Sequence, residues 1–241
     1  MQKSILERFI SKYNLNGAAE SVLWTTDGTS LSTGFISDDK NVLGFISTSE
    51  LGFEEGEYAI YNTTVLRGMI GVLDEDIEIG VNKVKGSAKS LGLHDTAAAK
   101  VTFVLADPSI LNNVPDVKAM PDFLIEIALD SKFMNTFVKG KNALPDVETF
   151  TVLTENGKTQ IILGYSASQN TNRVAFNVEL IKGEGLDEQA SFSARYLKDI
   201  LLANKEARGG TLKVSNKGLS YVSFNVDGFK VEYYLIGIKL A

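Results

Sequence analysis

A short amphipathic helix with a single apolar spacing occurs near Ile5 and again near Phe133. Ile5, Leu6, Phe9, Ile10 and Tyr13 fall on one helical face, and Phe133, Met134, Phe137 and Val138 repeat that face at a constant offset of 128. A second pair follows the same rule: Val65, Leu66, Met69 and Ile70 are mirrored by Tyr196, Leu197, Ile200 and Leu201 at an offset of 131. Two such helices in each half, set among strands, predict a duplicated domain.

Between the helices the chain reads as strands separated by turn chemistry. Ser220 to Val226 alternates apolar and polar residues, Asp227-Gly228 follows, and Phe229 to Leu240 is rich in aromatic and β-branched residues, which predicts a tight hairpin. Asn156-Gly157 separates Phe150–Thr154 from Gln160–Tyr165 in the same way, and Asp27-Gly28 separates Val22–Trp24 from Ser30-Leu31. Further strands are expected at Val42–Ile46, Ile77–Val81, Val101–Leu105, Arg173–Leu180 and Ala190–Ser193. The fold class expected is α+β, each half a mostly antiparallel sheet with two helices.

Three of the four prolines, Pro108, Pro115 and Pro121, lie in one stretch, where their fixed φ and missing N–H disfavour a long regular element. The expected organisation is therefore an N-terminal domain over 1–107, a connector over 108–121 and a C-terminal domain over 122–241. Pro145 closes the helix near Phe133.

With 44% hydrophobic residues the chain can build real cores. No apolar run approaches the ~20 residues of a spanning helix, and the charged start Met1–Arg8 does not read as a signal peptide, so a cytoplasmic protein is expected. Cysteine is absent, which excludes disulfides, thiolate metal sites and cysteine nucleophiles. The net charge of −6 argues, taken as a sum, against a polyanionic partner. Its distribution says more: residues 1–120 hold 10 Lys/Arg against 16 Asp/Glu, and the remainder hold 14 of each. Glu54, Glu55 and Glu57, and Asp74, Glu75 and Asp76, read as solvated turns. Asp74, Asp76 and Glu78 are the alternative metal ligands, without EF-hand spacing.

The polar faces of the four helices are selectively basic. Arg8 and Lys12 lie away from the first apolar stripe, Lys132 and Lys139 away from its repeat with Lys141 just beyond, and Arg67 maps onto Lys198 by the 131 offset. Arg195, Lys205 and Arg208 extend the set, while Glu7, Asp199 and Glu206 share these faces. An acidic chain has thus moved its cations onto one kind of surface, although Lys and Arg are also ordinary helix formers on a wet face.

This combination, together with the closing runs Tyr196 to Leu201, Gly210 to Asn216 and Leu219 to Phe224, resembles the DNA sliding clamps. The likeness is greatest to clamps of T4-like tailed phages and more distant to the archaeal and eukaryotic proliferating-cell clamps. The resemblance implies a DNA-clamp fold in which three subunits close head to tail as a homotrimer. Helices would line a hole for double-stranded DNA, and sheets would form the outer wall. The basic helix faces would then meet phosphates without reading bases, weakly enough across water to permit sliding. The resemblance also implies edge-to-edge subunit joints, here between the strand of Val101, Phe103 and Leu105 and that of Gln189, Ser191 and Ser193. It further implies a pocket for peptides of the replicative DNA polymerase and the clamp loader, with Val114, Val117, Met120, Leu235, Ile236 and Ile238 as candidates. No cofactor and no membrane contact are implied.

Two departures stand out: Gly71 and Leu202, expected near the pore side, carry no charge, and Arg67 is the only cation of its helix. The first half would be a poorly basic part of the pore. Two repeats, against the three per subunit of the dimeric bacterial clamps, point to a trimer, with a monomeric processivity factor of the herpesvirus kind as the alternative. Enzyme readings are weak. His94 is the only histidine and reads as a surface-loop residue, and no Gly-x-Ser-x-Gly elbow, dinucleotide fingerprint or Walker A sequence occurs. The competing expectation is a duplicated α+β structural or adaptor protein, such as a virion component, with no DNA-encircling role.

Overall fold

In the computed structural model, residues 1–97, 99–117, 119–166 and 171–239 are described. The elements run in the order α1 (Lys3–Asn14), β1 (Val22–Thr26), β2 (Leu31–Ile36), β3 (Val42–Thr48), β4 (Gly56–Ile60), α2 (Thr63–Ile70), β5 (Ile77–Val84), β6 (Ser87–Asp95) and β7 (Lys100–Val104). After a 3-10 turn at Pro108–Ile110 come β8 (Phe123–Asp130), α3 (Ser131–Ala143), β9 (Thr149–Glu155), β10 (Lys158–Leu163), β11 (Val174–Asn177), β12 (Leu180–Lys182), β13 (Ala190–Ser193), α4 (Ala194–Ala203), β14 (Gly209–Ser215), β15 (Leu219–Val226) and β16 (Phe229–Ile236). The helix starts keep the register of the repeat: Lys3 and Ser131 are 128 apart, Thr63 and Ala194 are 131 apart.

The chain packs as two compact units, the first made of Met1–Asp38, Gly44–Pro115 and Asp227–Val231, the second of Asp39–Leu43, Asp116–Val226 and the chain from Glu232 onward. In the first unit strands run in the order β4-β1-β2-β3, with a separate sheet β5-β6-β7. In the second they run β12-β8-β14-β15-β16 and β11-β10-β9-β13. Antiparallel pairing builds the sheets of both units, as in β1 with β2 and β4, β6 with β7, β9 with β10 and β13, and β8 with β14. Alternating burial along β2 and β3 turns Leu31, Thr33 and Phe35, and Val42, Gly44 and Ile46, to one face of their sheet.

Each unit rests its helices on an aromatic core. In the first, Phe9 meets Trp24 edge-on at 5.5 Å between ring centroids and Tyr13 at 5.8 Å, and Trp24 meets Phe53 at 5.9 Å. In the second, Phe137 lies 5.8 Å from Phe133, 5.8 Å from Phe150 and 5.7 Å from Phe176. The helices start where polar side chains take up free amides. Asn62 accepts from the Val65 N–H at 2.9 Å, Asp130 from Phe133 at 2.6 Å and Ser193 from Tyr196 at 3.3 Å. α1 lacks such a cap, and Glu75 accepts from the Ser4 N–H at 3.1 Å in its place.

Several local expectations need correction. The strand expected over Arg173–Leu180 is two strands, β11 and β12, on different sheets. The segment expected to run to Leu240 ends as a strand at Ile236, and Leu240 lies outside the described residues. Asp27-Gly28 is no two-residue turn: Asp27 accepts from the Thr29 and Ser30 amides at 2.9 and 2.8 Å, forming a longer loop. Glu57, expected in a turn, belongs to β4, and His94, expected in a loop, lies on β6 directly across from Glu78, with 3.5 Å between Nε2 and the carboxylate. Strands β4 and β6 carry no clear sequence signal, because glycine and polar residues interrupt the period of two, whereas β8, an addition to the expected strands, alternates buried Ile125, Ile127 and Leu129 with Glu126 and Ala128.

Candidate nucleic-acid interface

In the first unit α1 packs beside α2, and the groove between them, about 410 Å³, is lined by Glu7, Ser11, Thr64, Arg67 and Gly68. Arg67 is exposed and its guanidinium donates to the Asn14 side-chain oxygen at 3.3 Å. The other two expected cations are tied down. Arg8 is half-buried, its Nη2 3.0 Å from the Asp227 carboxylate and its guanidinium 5.0 Å from the Phe229 ring centroid. Lys12 does not reach solvent. It is 0% exposed, with its ammonium 5.1 Å from the same ring, a cation–π geometry that pulls the chain inward. The apolar stripe also differs from expectation on α2: Leu66 and Ile70 are buried, Met69 is half-buried and Val65 is exposed.

In the second unit α3 packs beside α4. Lys132 and Lys139 are exposed and line a groove of about 760 Å³ whose floor includes Phe133, Val174 and Phe176 and whose rim includes Asp130 and Glu179. Lys205 and Arg208 are exposed and Lys198 is half-exposed. Lys141, expected on the wet face, is 8% exposed. Its Nζ donates to the Leu144 and Pro145 carbonyls at 3.3 and 2.8 Å, so it closes the C-terminal end of α3 where carbonyls lack helical partners. Burial and nearby Lys198 hold its amine below the ordinary lysine range.

Asp199, expected on a solvated face, is instead 5% exposed. Among the described residues its Oδ2 has no hydrogen-bond partner, and it lies 3.8 Å from Arg195 Nε, one turn earlier on α4. Burial raises the carboxyl's pKa above its ordinary 3.8, against the opposing pull of Lys198, Arg195 and Lys141. A raised folded-state value means the native protein binds the extra proton, so stability falls as pH rises from the ordinary carboxylate value through the raised one. Asp199→Asn is expected to remove that decline, giving a flatter curve of urea midpoint against pH over that window. A mutant curve parallel to the wild type excludes Asp199 as its source.

The strands expected to join subunits are both sheet edges: β7 ends the sheet β5-β6-β7 and β13 ends β11-β10-β9-β13. Leu105 lies just past β7 and donates its N–H to Lys89 O at 2.9 Å, so the backbone groups of Thr102 and Val104 face the open side. The side chains of Val101, Phe103 and Leu105 are buried, whereas Val104 is 74% exposed. On β13, Ala194 N–H bonds Glu148 O at 2.8 Å, which turns the backbone groups of Ser191 and Ser193 outward. Their hydroxyls serve the fold: Ser191 pairs with Thr151 at 2.8 Å, and Ser193 caps α4. Gln189 precedes the strand and is exposed.

The six peptide-pocket candidates do not behave alike. Leu235 is fully buried, because the pleat of β16 turns Val231, Tyr233 and Leu235 to the core, and it is no pocket wall. Ile236, Val117 and Met120 are exposed, Ile238 and Val114 are half-buried, and Val114 Cγ1 packs over Gly34. Ile236 and Ile238 line a groove of about 670 Å³ with Gln189 to Ser191 and Ser215 to Gly218. Among the described residues, no group of three His, Asp or Glu side chains is arranged to hold a metal ion, Asp74, Asp76 and Glu78 included. No helix among them is long and apolar enough to cross a membrane.

No family model matches the chain, and no curated protein matches it in sequence. Solved structures do match it. The proliferating cellular nuclear antigen of Entamoeba histolytica superposes with a TM-score of 0.75 at 13% identity, covering 99% of this chain and 96% of that one. Four helices on antiparallel sheets, repeated across two units and matched over the full length, give this chain the fold of the proliferating-cell-antigen type of clamp.

Proposed function

We propose that the chain is a subunit of a DNA sliding clamp, a non-enzymatic ring that encircles duplex DNA without reading its sequence and tethers a replicative DNA polymerase. The observation that carries this reading is the full-length superposition on a proliferating cellular nuclear antigen. Exposed Lys132, Lys139, Lys205 and Arg208 on an acidic chain support it, since non-specific duplex contact needs phosphate neutralisation and no base edges. The first unit, with Arg67 as its one exposed cation among the expected set, contributes more wall than contact. Three protomers joined β7 to β13 would close the ring, and a clamp loader would open it. The wording of residues 190–240 supports placing the protein with clamps of T4-like tailed phages, acting in the host-cell cytoplasm.

Light scattering is expected to give three times the protomer's 26.2 kDa, and the loaded protein is expected to lengthen polymerase products. A monomer at high micromolar concentration without stimulation favours the structural or adaptor role. Replacing Lys132, Lys139 and Lys198 together with Ala is expected to leave the ring intact. It should also flatten the slope of log K against log salt for loaded DNA by about 0.9 for each phosphate no longer neutralised. An unchanged slope removes these lysines from the DNA face.

A further inference from the structure

The two units differ along one strand edge. In the second unit β14 is paired on both sides, with β15 and with β8, and Asp130, the last residue of β8 and the N-cap of α3, lies opposite Gly209. In the first unit Gln2, the N-cap of α1, takes the same place opposite Asp76, and the backbone of Met1 exchanges hydrogen bonds of 2.7 and 2.9 Å with Ile77. This register makes β5 the counterpart of β14 at an offset of 133 (209 − 76), with Ile77, Ile79 and Val81 standing for Gly210, Leu212 and Val214. Beyond Ile77 the likeness stops. Among the described residues no strand lies on the outer side of β5, which ends its sheet. Ile77 turns its N–H and C=O toward Met1, so by alternation Ile79 and Val81 turn theirs outward, while Glu78, Gly80 and Asn82 face β6. The side chains of Ile79 and Val81 share a face with Leu93 and Leu91 directly opposite, both 1% exposed, yet are themselves only half-buried. At the matching places Leu212 and Val214 are 0% exposed, with Ile127 and Ile125 of β8 opposite them.

We propose that the β5 edge takes an extended segment of a partner protein as an added strand, antiparallel to β5, in the place that β8 holds in the second unit. Main-chain hydrogen bonds to Ile79 and Val81 hold such a segment, and its side chains select it. Two alternate positions are aliphatic, to cover Ile79 and Val81 as Ile127 and Ile125 cover their counterparts. The next position is basic. In β8 that position is Ala128, opposite Thr211, and the counterpart of Thr211 is Glu78, whose side chain is 84% exposed and has His94 Nε2 at 3.5 Å. Opposite charges across a strand pair also fix register in the second unit, where Lys213 meets Glu126 of β8 at 3.2 Å. The register shift at Asn82–Lys83 and the ion pair of Lys83 with Glu54 at 2.8 Å end the open stretch. Self-pairing lacks the complement, because Ile79 and Val81 of a second copy are followed by Asn82 and no cation. Binding at this edge does not require the ring.

The probe is a synthetic peptide of residues 123–128 carrying Ala128→Lys, added to the full chain and followed by fluorescence anisotropy and residue-resolved hydrogen exchange. The Ile79 and Val81 amides are expected to exchange freely in the protein alone and about tenfold more slowly with saturating peptide, whereas the Gly80 amide, bonded to β6, is slow in both. N-methylation of the peptide at Ile125 and Ile127, whose amides face β5, is expected to weaken binding at least about tenfold. N-methylation at Glu126, whose amide faces away, leaves binding unchanged. Glu78→Gln is expected to weaken the lysine peptide about threefold and to leave the Ala128 peptide alone. Absence of protection at Ile79 and Val81, or equal loss with either methylation pattern, overturns the added strand. So does protection that grows with protein concentration when no peptide is present, because it assigns the edge to a second copy. An undiminished affinity in Glu78→Gln overturns the basic position.

Discussion

Phe9→Ala and Phe137→Ala are each expected to lower the unfolding free energy by about 3–5 kcal/mol, the cost of emptying a fully packed aromatic site. The two residues occupy matched positions of the repeat, and both are fully buried. Each is ringed by other aromatics: Tyr13 and Trp24 for Phe9, and Phe133, Phe150 and Phe176 for Phe137. Rings held by one another cannot collapse easily into the space that a deleted neighbour leaves. The measurement is the shift of urea midpoint at constant slope, and the single Trp24, packed against Phe9, gives a fluorescence signal local to the first unit. Circular dichroism reports the second. Val65→Ala, on the same expected stripe but exposed, should stay within about 0.5 kcal/mol. A loss below about 1 kcal/mol at either phenylalanine contradicts its place at the centre of a unit's core.

Val104→Pro is expected to weaken assembly by about tenfold to a hundredfold while leaving the dilute protomer folded. The Val104 backbone faces the open side of β7 and its side chain is largely in solvent, so proline there removes no hydrogen bond to β6 and little packing. What it removes is a donor that an added strand needs. A buried acceptor left without a partner costs about 1–3 kcal/mol, and every 1.4 kcal/mol is tenfold in affinity. Sedimentation equilibrium reads the effect, and an unchanged oligomer would show that β7 is not a joint.

Helices and hairpins with strong local signals were legible in the chain. α1, α3 and α4 show the apolar period of 3.6 and start at the expected repeat spacing. The Asn156-Gly157 and Asp227-Gly228 turns lie where those dipeptides predict them, with positive φ at both residues of each. Lys85-Gly86 makes the same turn, with φ of 52° and 84°, but lysine is not a turn signal, so the β5–β6 hairpin has no local signature. At the candidate interface the residue types were readable and their exposure was not. Helical spacing places Lys12, Lys141 and Asp199 off the apolar stripe, yet helix packing buries a wider arc than the stripe covers. Lys12 meets Phe229 from a distant strand, Lys141 meets the carbonyls that end its own helix, and Asp199 faces the cations around α4.

By itself the sequence determined the duplication, the apolar face of three of the four helices, the acidic bulk and the location of the chain's cations, because each depends on residue type and spacing along a few turns of chain. The tertiary structure alone decided which cations remain free to meet a phosphate and that β7 and β13 are edges. Exposure and edge position are set by which distant segments arrive to cover a group, and that arrival has no period in the chain to betray it.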